Sequence, residues 1–200
     1  MNTPRAIWDR RDLLRNLVSR NLKSRYKDSG LGFLWSVLAP LLMALVYLVF
    51  LRILARGVPM TEVLIGVFAW QFTAQCVGNG LGAITENANL VTKVSFPRLI
   101  LPMASALSNL VNFLLTLVVQ FALVAILLGL NGQAMAPTVW AVPALILWHA
   151  LFGFAITVFL SATSVYFRDL QHLVGVLLTA WFFLTPAMYS LELVRALALQ

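Results

Sequence analysis

From Leu99 to Phe167 the chain carries no Asp, Glu, Lys or Arg. A hydrocarbon core of about 30 Å is crossed by about 20 helical residues, so this run is far too long for one span. It must turn and cross again. Asn131-Gly132 with Pro137 supplies the turn, because these residues break helices and favour tight backbone reversal. The prediction is one span from about Leu99 to Leu130 and another from about Val139 to Phe167. Both exceed the minimum length and so tilt or project beyond the lipid.

The remaining chain fits the same pattern. Spans are predicted over Phe33–Leu51, with Pro40 as a potential kink, over about Val63–Ile84, and over about Leu173–Tyr189. Arg52, Arg56, Pro59 and Glu62 form a short loop between the first two. Gly66, Gly78, Gly80 and Gly82 in the second span permit close helix approach or mark a kink. Composition agrees, since 61% of residues are hydrophobic and 10% charged, whereas a soluble domain needs more polar surface. The expected fold is an all-α polytopic membrane protein with about five transmembrane helices.

The net charge of +7 is concentrated before the first span. Arg15, Arg20, Lys23, Arg25 and Lys27 belong to a basic collar at residues 1–30, the pattern of a cytoplasmic amino terminus in a cell's inner membrane rather than of nucleic-acid binding. Residues Asp9–Lys27 read as an amphipathic helix: Leu14, Val18, Leu22 and Tyr26 recur every fourth residue, with Leu13 and Leu17 beside them. Its expected place is the membrane interface, apolar stripe in the acyl boundary and cations at lipid headgroups. The competing reading is a solvated helix packed on a neighbouring domain. Residues 31–200 then form the transmembrane domain. Its polar break, Thr85–Arg98, falls on the cytoplasmic side with Lys93, Arg98 and Arg168.

Chemistry-bearing patterns are sparse. There is no Gly-x-x-x-x-Gly-Lys-Ser/Thr phosphate loop, so ATP is not bound in that manner. Cys76 is the single cysteine and cannot form an internal disulfide. His149 has no ligand-spaced partner and reads as a hydrogen-bonded intramembrane histidine rather than a metal ligand. Ser161, Thr163 and Ser164 read as bonded to helix carbonyls. No acid sits in the middle of a span, which removes the usual device of a proton- or sodium-coupled carrier. Energy has to enter from elsewhere, and the polar loops are where it can do so. No catalytic or metal site is assigned. Aromatic residues Trp35, Tyr47, Trp70, Trp181, Phe182 and Tyr189 either form an interfacial belt or line a channel whose ring faces stack on sugars.

Four blocks carry a family resemblance. Arg25–Trp35 reads RYKDSGLGFLW and is followed by Leu38-Ala39-Pro40; Asn89–Pro102 reads NLVTKVSFPRLILP; Tyr166–Leu170 reads YFRDL; Phe183–Tyr189 reads FLTPAMY. In this order they resemble the membrane subunits of ABC-type polysaccharide exporters for O-antigen, capsule or teichoic acid. The resemblance implies a homodimer, six spans per protomer, and a separate nucleotide-binding ATPase subunit that holds the ATP and Mg. No cofactor is then expected in this chain. It further implies that the segment after the second span docks on the ATPase. On this sequence that segment holds Glu86, Asn87, Asn89, Lys93, Phe96, Pro97 and Arg98. The implied substrate is a lipid-linked glycan. With five spans counted before Gln200, the chain is expected to be truncated at its carboxyl end relative to the family.

Two other readings differ in class. One is an ABC exporter of drugs or small lipids, which the Arg25–Pro40 block disfavours. The other is a membrane enzyme acting on polyprenyl-linked lipids, for which Glu86, Asp169 and His172 are the only acid–base candidates.

Overall fold

The computed structural model describes residues 7–25, 30–31, 34–54, 60–132, 137–167 and 169–185. Within them every regular element is helical. The helices are α1 (Arg11–Ser24), α2 (Trp35–Leu54), α3 (Met60–Gly82), α4 (Ala88–Lys93), α5 (Ile100–Leu130), α6 (Val142–Tyr166) and α7 (Leu170–Leu184), with 3-10 turns at Thr85–Asn87 and Pro137–Ala141. Helices α2, α3, α5, α6 and α7 occupy the five predicted spans. Helix α5 and the stretch Pro137–Tyr166 are each long and apolar enough to cross a membrane, while Val37–Tyr47 and α7 are shorter apolar helices. The 31 residues of α5 extend about 46 Å at 1.5 Å per residue. That exceeds the lipid core, so the helix tilts or projects beyond it.

Local chemistry sets the ends. Helix α5 stops where Asn131 caps it and Gly132 takes φ 66°, a left-handed conformation open to glycine without Cβ strain. A proline in the first turn of α6 loses no hydrogen bond there, since the first helical N–H groups have no intrahelical partner. Glu62 lies in the first turn of α3, where a carboxylate is favoured by the helix dipole. This corrects the expected loop: Arg52 belongs to α2 and Glu62 to α3. The fourth span is likewise entered through a 3-10 turn, with α-helix from Val142 onward.

Helix α3 is the hub, packing on α2, α5, α6 and α7. Two close approaches fasten it to α6. A Cβ on Gly80 would stand 3.0 Å from the Thr157 Cα, and one on Gly153 would stand 2.9 Å from the Cys76 Sγ. Small residues here let backbones meet, which is how helices associate when lipid removes the hydrophobic drive between them. Phe72, Cys76 and Phe113 fill one layer, with His149 edge-on to both rings at 4.9 and 5.6 Å. His149 Nε2 and Thr73 Oγ1 are hydrogen-bonded at 2.8 Å, the partner that the sequence reading required.

The packing of α1 departs from expectation. Leu17 is buried with Ile100, Leu101 and Ala104, and Leu13, Leu14 and Val18 pack against that cluster together with Leu90, Val91 and Phe96. The apolar stripe assigned to the acyl boundary therefore rests on the start of α5 and on the Thr85–Arg98 segment. A period of 3.6 residues defines an apolar face but not what covers it. Here protein covers it, and the charged face remains outward.

Candidate functional site

The Thr85–Arg98 break is an ordered element. A 3-10 turn at Thr85–Asn87 runs into the two-turn helix α4, whose C-cap Val94 is extended. Ser95, Phe96 and Pro97 continue without regular structure to Ile100. Pro97 explains this locally, because the residue before a proline is steered out of the helical region. Leu90, Val91 and Phe96 anchor the inner side. Glu86, Asn89, Lys93 and Arg98 are exposed, Asn87 and Pro97 half-buried. Val91, Lys93, Phe96 and Arg98 help to line an open hollow of about 420 Å³. The segment thus presents two cations, one anion and a concave surface on an apolar footing.

That element is tied to α1. Arg20 Nη2 donates to Asn87 Oδ1 at 2.6 Å, and Asn87 Nδ2 donates to the Ala83 carbonyl at 2.9 Å. The Glu86 carboxylate folds back over Gly82, where a Cβ would collide with it. That carboxylate is the free end of an exposed, flexible side chain, so a larger residue at position 82 would only turn it aside.

Just inside lies a polar ladder. Arg25 Nη2 donates to Asn109 Oδ1 at 2.5 Å and Arg25 Nη1 to Gln75 Oε1 at 3.1 Å. Asn79 Nδ2 donates to the same Asn109 oxygen at 2.7 Å, and Asn112 Nδ2 to Gln75 Oε1 at 3.2 Å. Asn109 is fully buried and also donates to the Gln75 carbonyl at 3.3 Å. Arg25, Asn79, Glu86, Asn87, Ser105 and Asn109 help to enclose a cavity of about 180 Å³ beneath the ladder. Charged and amide groups are costly away from water unless partnered. The ladder supplies those partners and locks α1 to α3 and α5.

Of the five headgroup candidates, the structure brings Arg20 to the Thr85–Arg98 segment and Arg25 to the ladder. Arg15 and Lys23 remain exposed on α1, and Lys27 lies outside the described residues. Gln75, Asn79, Asn109 and Asn112 were not singled out from sequence. A signal existed: Ser105, Ser108, Asn109, Asn112, Thr116 and Gln120 recur every three or four residues along α5 and are all buried, a polar stripe in an otherwise apolar helix.

The aromatic candidates divide. Trp70 meets Trp181 edge-on at 5.4 Å and Phe182 at 5.5 Å, and Phe152 joins Trp181 at 6.4 Å. Tyr47 packs instead against Val63 and Val67, and Trp35 is 37% exposed. Tyr189 lies outside the described residues. Ser161, Thr163 and Ser164 donate to helix carbonyls as expected. Of the three enzyme candidates, Glu86 sits in the 3-10 turn, while Asp169 caps α7 and His172 lies in its first turn, the His172 N–H donating to the Asp169 backbone carbonyl at 3.1 Å.

An apolar helical bundle with a polar segment on one side is the architecture of a polytopic membrane protein. The chain belongs to the ABC-2 type transporter family, whose description matches residues 12–198. It is 40% identical over 195 residues to the O-antigen export system permease protein RfbA of Myxococcus xanthus, covering 96% of this chain and 73% of that one. Two proteins of the same name from Klebsiella pneumoniae are 32% and 30% identical over 189 and 186 residues, each covering 92% of this chain and 71% of the relative.

Proposed function

We propose that this chain is the permease subunit of an ATP-driven exporter that moves lipid-linked polysaccharide across the inner membrane. It works as a homodimer with its amino terminus in the cytoplasm, and a separate subunit hydrolyses ATP. The observation that carries the coupling part is the tethering of Thr85–Arg98. Its outer surface is polar and exposed, while its inner surface is fixed to α1 and α5 by Leu90, Val91, Phe96 and the Arg20–Asn87 bond. A push on this segment therefore moves α1. Through Arg25 and Asn109 the push reaches α3 and α5. Packed side chains and hydrogen-bond networks of this kind can carry coupling between sites.

The glycan assignment draws on the names of the relatives and on the aromatic cluster Trp70, Trp181 and Phe182. Ring faces suit the apolar faces of sugars, and edge-on packing holds them rigid. Arg15 and Lys23, outward on α1, suit anionic lipid headgroups at about 1 kcal/mol per cation near a charged surface.

The test is docking. Arg98→Cys placed against cysteines on the ATPase subunit encoded with this permease should crosslink, and the two proteins should co-purify. Absence of both would remove the ATPase-coupled reading.

A further inference from the structure

On the side of the bundle away from Thr85–Arg98, helices α3, α5 and α6 enclose a cavity of about 570 Å³. Its walls are mainly apolar, with Ile65, Phe121, Val124 and Leu145 among them, and it lies beside the outward faces of α5 and α6, where Val118, Ile126, Leu145 and Trp148 are exposed. Membrane spans expose such residues to lipid chains. The cavity volume falls within the roughly 300–1,000 Å³ of small-molecule sites.

One wall residue does not match the rest. Gln120 is only 5% exposed, and its Oε1 is the buried side-chain polar atom left without a hydrogen-bond partner among the described residues. Its neighbour on the polar stripe, Thr116, donates to the Asn112 carbonyl. His149 Nε2, on the same cavity wall, is taken by Thr73. Gln120 thus holds an unsatisfied acceptor at the cavity wall, which a turn of its side chain brings to whatever fills the space. Besides Gln120, only Thr61, Thr138 and His149 among the lining residues carry polar side chains, so most of the wall suits an apolar chain. The complementary molecule has an apolar chain for the walls and one O–H for the amide oxygen.

We propose that this cavity binds a membrane amphiphile, a single alkyl chain whose hydroxyl donates to Gln120 Oε1. The inference needs only that α5 and α6 lie in lipid and is independent of the coupling segment. The probes are a diazirine-bearing long-chain alcohol and the matching hydrocarbon without the hydroxyl, applied to the full chain in nanodiscs. The alcohol should label peptides of α5 and α6 saturably. Unlabelled alcohol should compete about tenfold better in wild type than in Gln120→Leu, the effect of losing one hydrogen bond of about 1.4 kcal/mol. The hydrocarbon should not distinguish the two proteins. Leu145→Trp, which narrows the cavity and leaves Gln120 in place, should lower labelling by the alcohol, and this holds whether or not the Gln120 variant folds. Equal competition in wild type and Gln120→Leu, unchanged labelling of Leu145→Trp, or no labelling of α5 and α6 (as when a second copy covers the cavity) would overturn the proposal.

Discussion

Arg20 on α1 donates to Asn87 at 2.6 Å, joining the amino-terminal helix to the turn that opens Thr85–Arg98. One side chain from the basic collar and one from the coupling segment thus form a single unit. If force passes through the bond, Arg20→Ala, Asn87→Ala and the double variant should lose similar fractions of export. A double-mutant cycle should return a coupling of about 0.5–1.5 kcal/mol. Additive losses would mean that the two residues act separately.

Glu86, Lys93 and Arg98 are exposed on the segment, and the proposed function makes them the contact with the ATPase subunit. Charge reversal, Glu86→Lys or Arg98→Glu, should uncouple ATP hydrolysis from export while leaving the helix content unchanged. The measurements are ATPase rate, glycan export and circular dichroism on the same preparations. Preserved coupling in both variants would leave the segment an ordinary polar loop.

Asn109 accepts from Arg25 and Asn79 with no exposed surface of its own. Asn109→Ala removes their shared acceptor; Arg25 and Asn79 are exposed and turn to water instead, so the cost is about 0.5–1.5 kcal/mol for each hydrogen bond lost. For a chain near 200 residues that lowers the melting temperature by several degrees, at about 2–4 °C per kcal/mol. A detergent thermal melt checks this, and Asn112→Ala at the periphery of the ladder should cost less.

The spans were legible because lipid imposes one demand on every backbone group, and a long uncharged run such as Leu99–Phe167 has few ways to satisfy it. Glu62 and Arg52 were misplaced in a loop because charge marks a span end only to within a turn or so. Where α1 lies was not legible. Leu13, Leu14, Leu17 and Val18 form the same stripe whether lipid or α5 covers it. The ladder was missed because Gln75, Asn79 and Asn109 come from two helices and Arg25 from a third. Their convergence is a property of packing. The polar Thr85–Arg98 segment was the better placed: its polarity and position between spans were legible, though not its 3-10 turn or its tie to α1.

Gly80 shows how little room α3 and α6 leave each other. Its missing Cβ would meet backbone atoms of Thr157, which cannot swing aside as a side-chain tip would. Gly80→Ala should therefore destabilise by about 1–3 kcal/mol through overpacking. Gly78→Ala, with open space around its position, should be close to neutral. A thermal comparison of the two variants reads the difference directly, and equal melts would contradict the close approach.

The central claim is that this chain conducts a lipid-linked glycan when an ATPase subunit drives it. The direct measurement is translocation in proteoliposomes holding this chain, its ATPase subunit and a labelled lipid-linked glycan, with accessibility to an external glycosidase as readout. The account predicts ATP-dependent exposure of the glycan that requires both proteins and falls sharply with Arg98→Glu. Exposure without ATP, or none with both proteins present and ATP being hydrolysed, would contradict it.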